Sequence, residues 1–109
     1  MRLGGFLVSP AEVEATLKTH PSVEAAQVVS VKTPTGEQAC GFVVPARGST
    51  PVGEELRLYC GERLARYKIP TIVECIDTFP TTPSANGSKI QRAKLRDLAA
   101  QLLGSQDHE

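Results

Sequence analysis

The sequence predicts an α+β domain: a small mixed sheet of about three strands, about three packed helices, and a hairpin segment at the N-terminus. Three observations carry this. A proline-started helical pattern precedes the first apolar run, and two valine-rich runs flank the turn Thr33-Pro34-Thr35-Gly36. A third β-branched run is reached only through a helical stretch. The turn makes the first two strands antiparallel, whereas the third arrives by a crossover, so the sheet is mixed.

Each element has its own warrant. In Ser9-Pro10-Ala11-Glu12 the serine suits a cap and the proline suits the first helical position, and Glu12 reaching back would complete a capping box. Val13 and Leu17 share one helical face, and the helix should stop near Pro21. Val23 to Val31 reads as a buried strand, and Ala39 to Val44 as its hairpin partner. After a loop from Pro45 to Pro51, residues Leu56, Tyr59, Cys60 and Leu64 form a helical stripe, weakened by up to ~1 kcal/mol at Gly61. Pro70 ends it, and Thr71 to Ile76 is the third strand. The last helix carries Leu95, Leu98, Ala99 and Leu102 on one face and should end at Gly104. Residues 1–104 are expected to form one domain, with 105–109 a disordered tail.

A chain of 109 residues fits one domain but is short for a complete two-substrate enzyme. Its composition, 40% hydrophobic and 22% charged, suits a globular domain. Twelve basic residues balance twelve acidic ones, which disfavours nucleic acid and anionic membrane as partners. No apolar run is long enough for membrane insertion, and Met1-Arg-Leu-Gly-Gly does not resemble a secretion signal, so the expectation is cytoplasmic. Cys40, Cys60 and Cys75 have unrelated spacings and suit neither a disulfide framework nor a metal site. His20 and His108 stand apart, in no ligand cluster, so no metal residues are expected.

The segment Pro80-Thr-Thr-Pro-Ser-Ala-Asn-Gly-Ser-Lys-Ile-Gln-Arg92 is the most informative. Its prolines restrict the backbone, and Asn86-Gly87 can take the positive φ of a sharp reversal. Lys89 then stands beyond a projecting tip, able to offer its ammonium to phosphate or carboxylate oxygens. A solvated lysine after a surface turn is the plainer reading of the same residues.

Four blocks in order resemble the C-terminal domain of the adenylate-forming, AMP-binding enzymes, most closely acyl-CoA synthetases. They are Gly4-Gly-Phe-Leu-Val-Ser-Pro-Ala-Glu-Val-Glu14, His20-Pro-Ser-Val-Glu24, Leu64-Ala-Arg-Tyr-Lys-Ile-Pro70, and Pro83 to Arg92 with Leu95-Arg96. The resemblance covers nearly the whole chain. It implies an ATP-dependent acid–CoA ligase that forms an acyl-adenylate and then transfers the acyl group to CoA. ATP and CoA would be substrates of the parent enzyme, with Mg2+ accompanying ATP on a separate N-terminal ATP-binding domain, and none bound by this chain alone. That domain, the carboxylic acid and CoA are the implied partners, and the isolated chain is expected to be inactive.

By resemblance, Lys89 matches the lysine that enters the site for adenylation. Gly4 and Gly5 match the segment that swings in beside the CoA pantetheine, and Lys68 falls where some relatives contact the CoA nucleotide. For Lys68 a solvated helix-end charge is the alternative, and for Glu12 the capping box is. Two departures stand out. Ser88 intervenes between the glycine and the lysine, which makes Lys94 a second candidate, and the hinge residue would lie just upstream of Met1. Phe6-Leu7-Val8 leans the acid towards fatty or aryl acids. A free-standing protein-interaction module of the same fold is the alternative function.

Overall fold

In the computed structural model the described residues are 1–85 and 87–107, the last three by backbone alone. A short hairpin of β1 (Arg2–Leu3) and β2 (Phe6–Leu7) leads into α1 (Pro10–Lys18). The long strands β3 (Val23–Thr33) and β4 (Gly36–Pro45) follow, then α2 (Gly53–Gly61), a single 3₁₀ turn (Arg66–Lys68) and β5 (Ile72–Cys75). The chain closes with β6 (Thr81–Ser84), β7 (Gly87–Ile90) and α3 (Arg92–Asp107). The main sheet has the order β3-β4-β5, antiparallel between the first pair and parallel between the second. It is the predicted mixed three-stranded sheet with three helices.

Strand periodicity assigns the two faces of this sheet, because alternate side chains point in opposite directions. Ala26, Val28, Ala39, Val43 and Val73 pack with Val13 and Leu17 of α1, Leu56 and Cys60 of α2, and Leu3 and Val8 beside the first hairpin. Val29, Cys40 and Phe42 face the other way, onto Leu95 and Ala99 of α3. Ile72, Ile76, Phe79 and Ile90 complete that second cluster. A register shift between Val23 and Ala25 changes the parity of β3, which is how Val23 joins the same face as Ala26. Burying a side chain such as Leu17, Leu56 or Phe42 contributes about 1.5–3 kcal/mol, so each face has its own anchor. The first hairpin is rooted in one face and the segment around Lys89 in the other.

Several local expectations gave way to longer-range contacts. Ser9 occupies the N-cap position of α1 with extended backbone but makes no side-chain capping bond, and the Glu12 carboxylate bonds Lys68 instead of completing a capping box. The helix α2 stops at Gly61, leaving Leu64 outside it but packed against the core. The final helix passes through Gly104 to Asp107, since glycine weakens a helix interior by only about 1 kcal/mol and does not by itself end it. The lysine loop is a two-stranded ribbon, with Thr82 opposite Lys89 and Pro83 opposite Ser88. Of the turn residues Asn86-Gly87, the glycine has φ of 111°, while Asn86 lies outside the described residues, as does His108.

Candidate functional site

The sequence-predicted residues fall into two groups. In the first, Gly4 and Gly5 form the tip between β1 and β2 with φ of 59° and 86°. Both angles are in the left-handed region, which glycine enters at little cost. A Cβ at Gly5 would meet nothing within 4 Å, whereas one at Gly4 would lie 3.8 Å from the Cβ of Tyr67. Next to the tip the rings of Phe6 and Tyr67 stack with centroids 4.3 Å apart. Lys68 follows directly, its Nζ donating to Glu12 Oε2 at 2.9 Å. That bond holds the Lys68 ammonium above its ordinary range, with the Glu12 charge adding to the effect. The fold thus joins Gly4, Gly5, Lys68 and Glu12 in one corner, through an aromatic pair that no motif announced. Its signal was in the sequence: Phe6 and Tyr67 each adjoin a candidate residue.

The corner is tied down at its base. The Arg2 backbone N–H donates to Glu37 Oε1 at 3.0 Å, while Ser30 Oγ donates to Glu37 Oε2 at 2.6 Å. Those two bonds, the serine's foremost, hold the Glu37 carboxyl below its usual range. Met1 and Val8 also exchange backbone hydrogen bonds, closing the hairpin.

Lys89 belongs to the second group, alone among the predicted site residues apart from Lys94. It lies on β7, exposed, and its ammonium makes no hydrogen bond or ion pair among the described residues. Among the described residues nothing acidic pairs with it, and the ribbon that carries it is solvent-facing along all of β6. Beside it a groove of ≈ 510 Å³ runs from Thr82 and Lys89 to Lys94, which is itself exposed on α3. The Gln91 side-chain oxygen is buried near this groove with no partner among the described residues. Arg92, missed by sequence reasoning as anything but a motif end, bonds Val28 O, Gln27 Oε1 and Glu14 Oε2.

Other reactive side chains are quiet. Burial pushes the Cys40 thiol up to about 12, and also raises Cys60 and Cys75, so none is an activated thiolate. His20 accepts the Ser22 N–H at Nδ1 and has Nε2 3.7 Å from Glu55, a local structural role. No three His, Cys, Asp or Glu side chains among the described residues are grouped to hold a metal ion. No described helix is long and apolar enough to cross a membrane.

The family model for the AMP-binding enzyme C-terminal domain matches residues 12–86. This chain belongs to that family. The match stops before Lys89. A mitochondrial medium-chain acyl-CoA ligase of Danio rerio is 37% identical over 102 residues, covering 93% of this chain and 16% of that protein. A 2-succinylbenzoate–CoA ligase of Geobacillus kaustophilus is 42% identical over 96 residues, covering 87% of this chain and 19% of that protein. The solved structure of an ATP-bound RpMatB-BxBclM chimera superposes with a TM-score of 0.83 at 27% identity, over 94% of this chain and 20% of the other. The chain therefore spans no more than about a fifth of the proteins it matches. It has the fold of C-terminal domains of adenylate-forming acyl-CoA ligases.

Proposed function

We propose that this domain is the catalytic lid of an ATP-dependent acid–CoA ligase, presenting Lys89 for one half-reaction and the Gly4–Gly5 tip for the other. The observation that carries the reading is the rooting of these two groups in opposite faces of one sheet. A rigid body with one tool on each face can serve two steps by turning, without refolding.

In the first step a carboxylate oxygen attacks the α-phosphorus of ATP and pyrophosphate departs. The Lys89 ammonium would bridge the attacking oxygen and the α-phosphate, where negative charge gathers in the transition state. It acts as a preplaced charge rather than as an acid or base. Its freedom from acidic partners supports this, because a lysine already paired would have to break that pair to reach the substrate. In the second step the CoA thiol sulfur attacks the acyl carbon and AMP leaves. Gly4 and Gly5 would let backbone approach the narrow pantetheine arm, and Lys68, exchanging Glu12 for a phosphate, would meet the nucleotide end. Mg2+ would arrive with ATP on the larger domain.

The exposed side chains of Phe6, Leu7, Val52 and Leu58 favour a second reading, a module that docks on a separate protein. Joining the chain to its larger ATP-binding domain separates the two. Thioester formation is measured with ATP, CoA, and either octanoate or 2-succinylbenzoate. The ligase reading predicts no turnover by the chain alone and turnover by the joined protein. Pyrophosphate release by the isolated chain, or a joined protein whose rate is indifferent to this domain, would overturn it.

A further inference from the structure

We propose that Arg92 is a positioning residue for Lys89, fixing the junction of β7 and α3 against the outer edge of β3. The inference rests on the reading of Lys89 given above. Arg92 opens α3, three residues beyond Lys89. Its Nη2 donates to Val28 O at 2.6 Å, and its Nη1 donates to Gln27 Oε1 and lies 3.4 Å from Glu14 Oε2. The same Glu14 oxygen accepts the Val28 N–H at 2.8 Å.

These contacts have a particular logic. The strand β3 is at the edge of the sheet, so the outward N–H and C=O of Val28 have no strand partner. Glu14 from α1 takes the donor and Arg92 from α3 takes the acceptor, and the two side chains meet. One peptide edge, one helix and the base of the lysine ribbon are thereby locked together. A guanidinium is planar and its donors are fixed in a fork, so several acceptors set its orientation as well as its distance. The rest of the ribbon has little to hold it. Gln91 N donates to Pro80 O at 2.8 Å across its base, and Ile90 and Phe79 rest on the sheet. Beyond that, β6 is fully exposed, and so are Gly87, Ser88 and Lys89.

A catalytic charge is effective only where it is held, and a misplacement of roughly 1 Å can cost about 10²-fold. Anchoring the base of a free ribbon is the way this domain can hold Lys89 without covering it. The Lys89 ammonium stays unpaired while its attachment does not move.

Two measurements on Arg92→Ala and Arg92→Lys test this. Amide hydrogen exchange of the chain should quicken at Gln91 and along β7 by about tenfold relative to β4, with Arg92→Lys between wild type and Arg92→Ala. In the joined ligase, adenylation with octanoate or 2-succinylbenzoate should fall ~10- to 10²-fold in Arg92→Ala. Acyl transfer from preformed adenylate to CoA should stay within about twofold, and Arg92→Ala should add nothing in a Lys89→Ala background. If Arg92→Ala does not fold, Arg92→Lys is read in its place. Unchanged exchange in the ribbon, equal losses in both half-reactions, or full additivity with Lys89→Ala would each overturn the inference. Should Lys89→Ala itself spare adenylation, the reading of Lys89 fails, while the exchange result still decides whether Arg92 anchors the ribbon.

Discussion

Two hairpins protrude from this domain, and they are built in opposite ways. The β1–β2 hairpin is short, its tip is two glycines with positive φ, and its flanks are fastened by Glu37, by Met1–Val8 bonding and by the Phe6–Tyr67 stack. The β6–β7 hairpin is longer, exposed along β6 and from Gly87 to Lys89, and fastened at its base, where Ile90 packs on the sheet. The first removes side chains at its tip, and the second carries Lys89 opposite Thr82, one pair from its base. Under the proposed reading, clearance asks for backbone held close to a ligand, and the flanks of this hairpin are fastened along their length. Placing the Lys89 charge, under the same reading, asks only that the base beside it be held.

Gly5→Val forces a β-branched residue into a positive-φ position and should destabilise the domain by about 1–3 kcal/mol. Lys89→Ala on the other hairpin should stay within about 0.5 kcal/mol, as for exposed sites generally. Chemical denaturation of both variants reads the difference, and equal destabilisation would erase it. Phe6→Ala removes the stack on Tyr67 and should lower stability by about 0.5–1.5 kcal/mol in the same assay. No change would mean that the aromatic pair does not fasten the tip.

The smallest effect concerns acid. The folded state depresses the Glu37 carboxyl below its usual 4.5, chiefly through the Ser30 hydroxyl and then the Arg2 N–H. A depressed acid stabilises the fold above the unfolded value, and that contribution is lost as pH falls through the folded value. The window therefore lies below pH 4.5. An NMR titration should show the Arg2 amide released there, while the Gln91 amide, whose partner is a carbonyl, does not follow. Joint movement of the two amides would mean that acid loosens the domain as a whole.

Much of this organisation was legible because it is written locally. Pro10 starting a helix, Thr33 to Gly36 turning a hairpin, and Thr71 to Ile76 returning as a strand all depend on neighbours in the chain. What could not be read depends on distant residues. Glu12 fits a capping box until Lys68, 56 positions on, competes for its carboxylate with a full charge. Arg92 reads as the end of a motif until folding brings Glu14, 78 positions away, to its guanidinium. Gly53 gave no signal either, yet a Cβ there would come within 2.0 Å of Val73 O, so the start of α2 requires glycine to lie against β5. Lys89, Gly4 and Gly5 were legible as candidates from their motifs. That they are rooted in opposite faces of the sheet was not, because face assignment follows from strand pairing.

If each hairpin serves a different half-reaction, measuring both steps in the joined ligase separates them. Lys89→Ala should slow acyl-adenylate formation by about 10²–10³ and leave CoA acylation from preformed adenylate nearly intact. Gly5→Trp should do the reverse. Parallel losses in the two steps, for either variant, would mean that the hairpins do not divide the half-reactions.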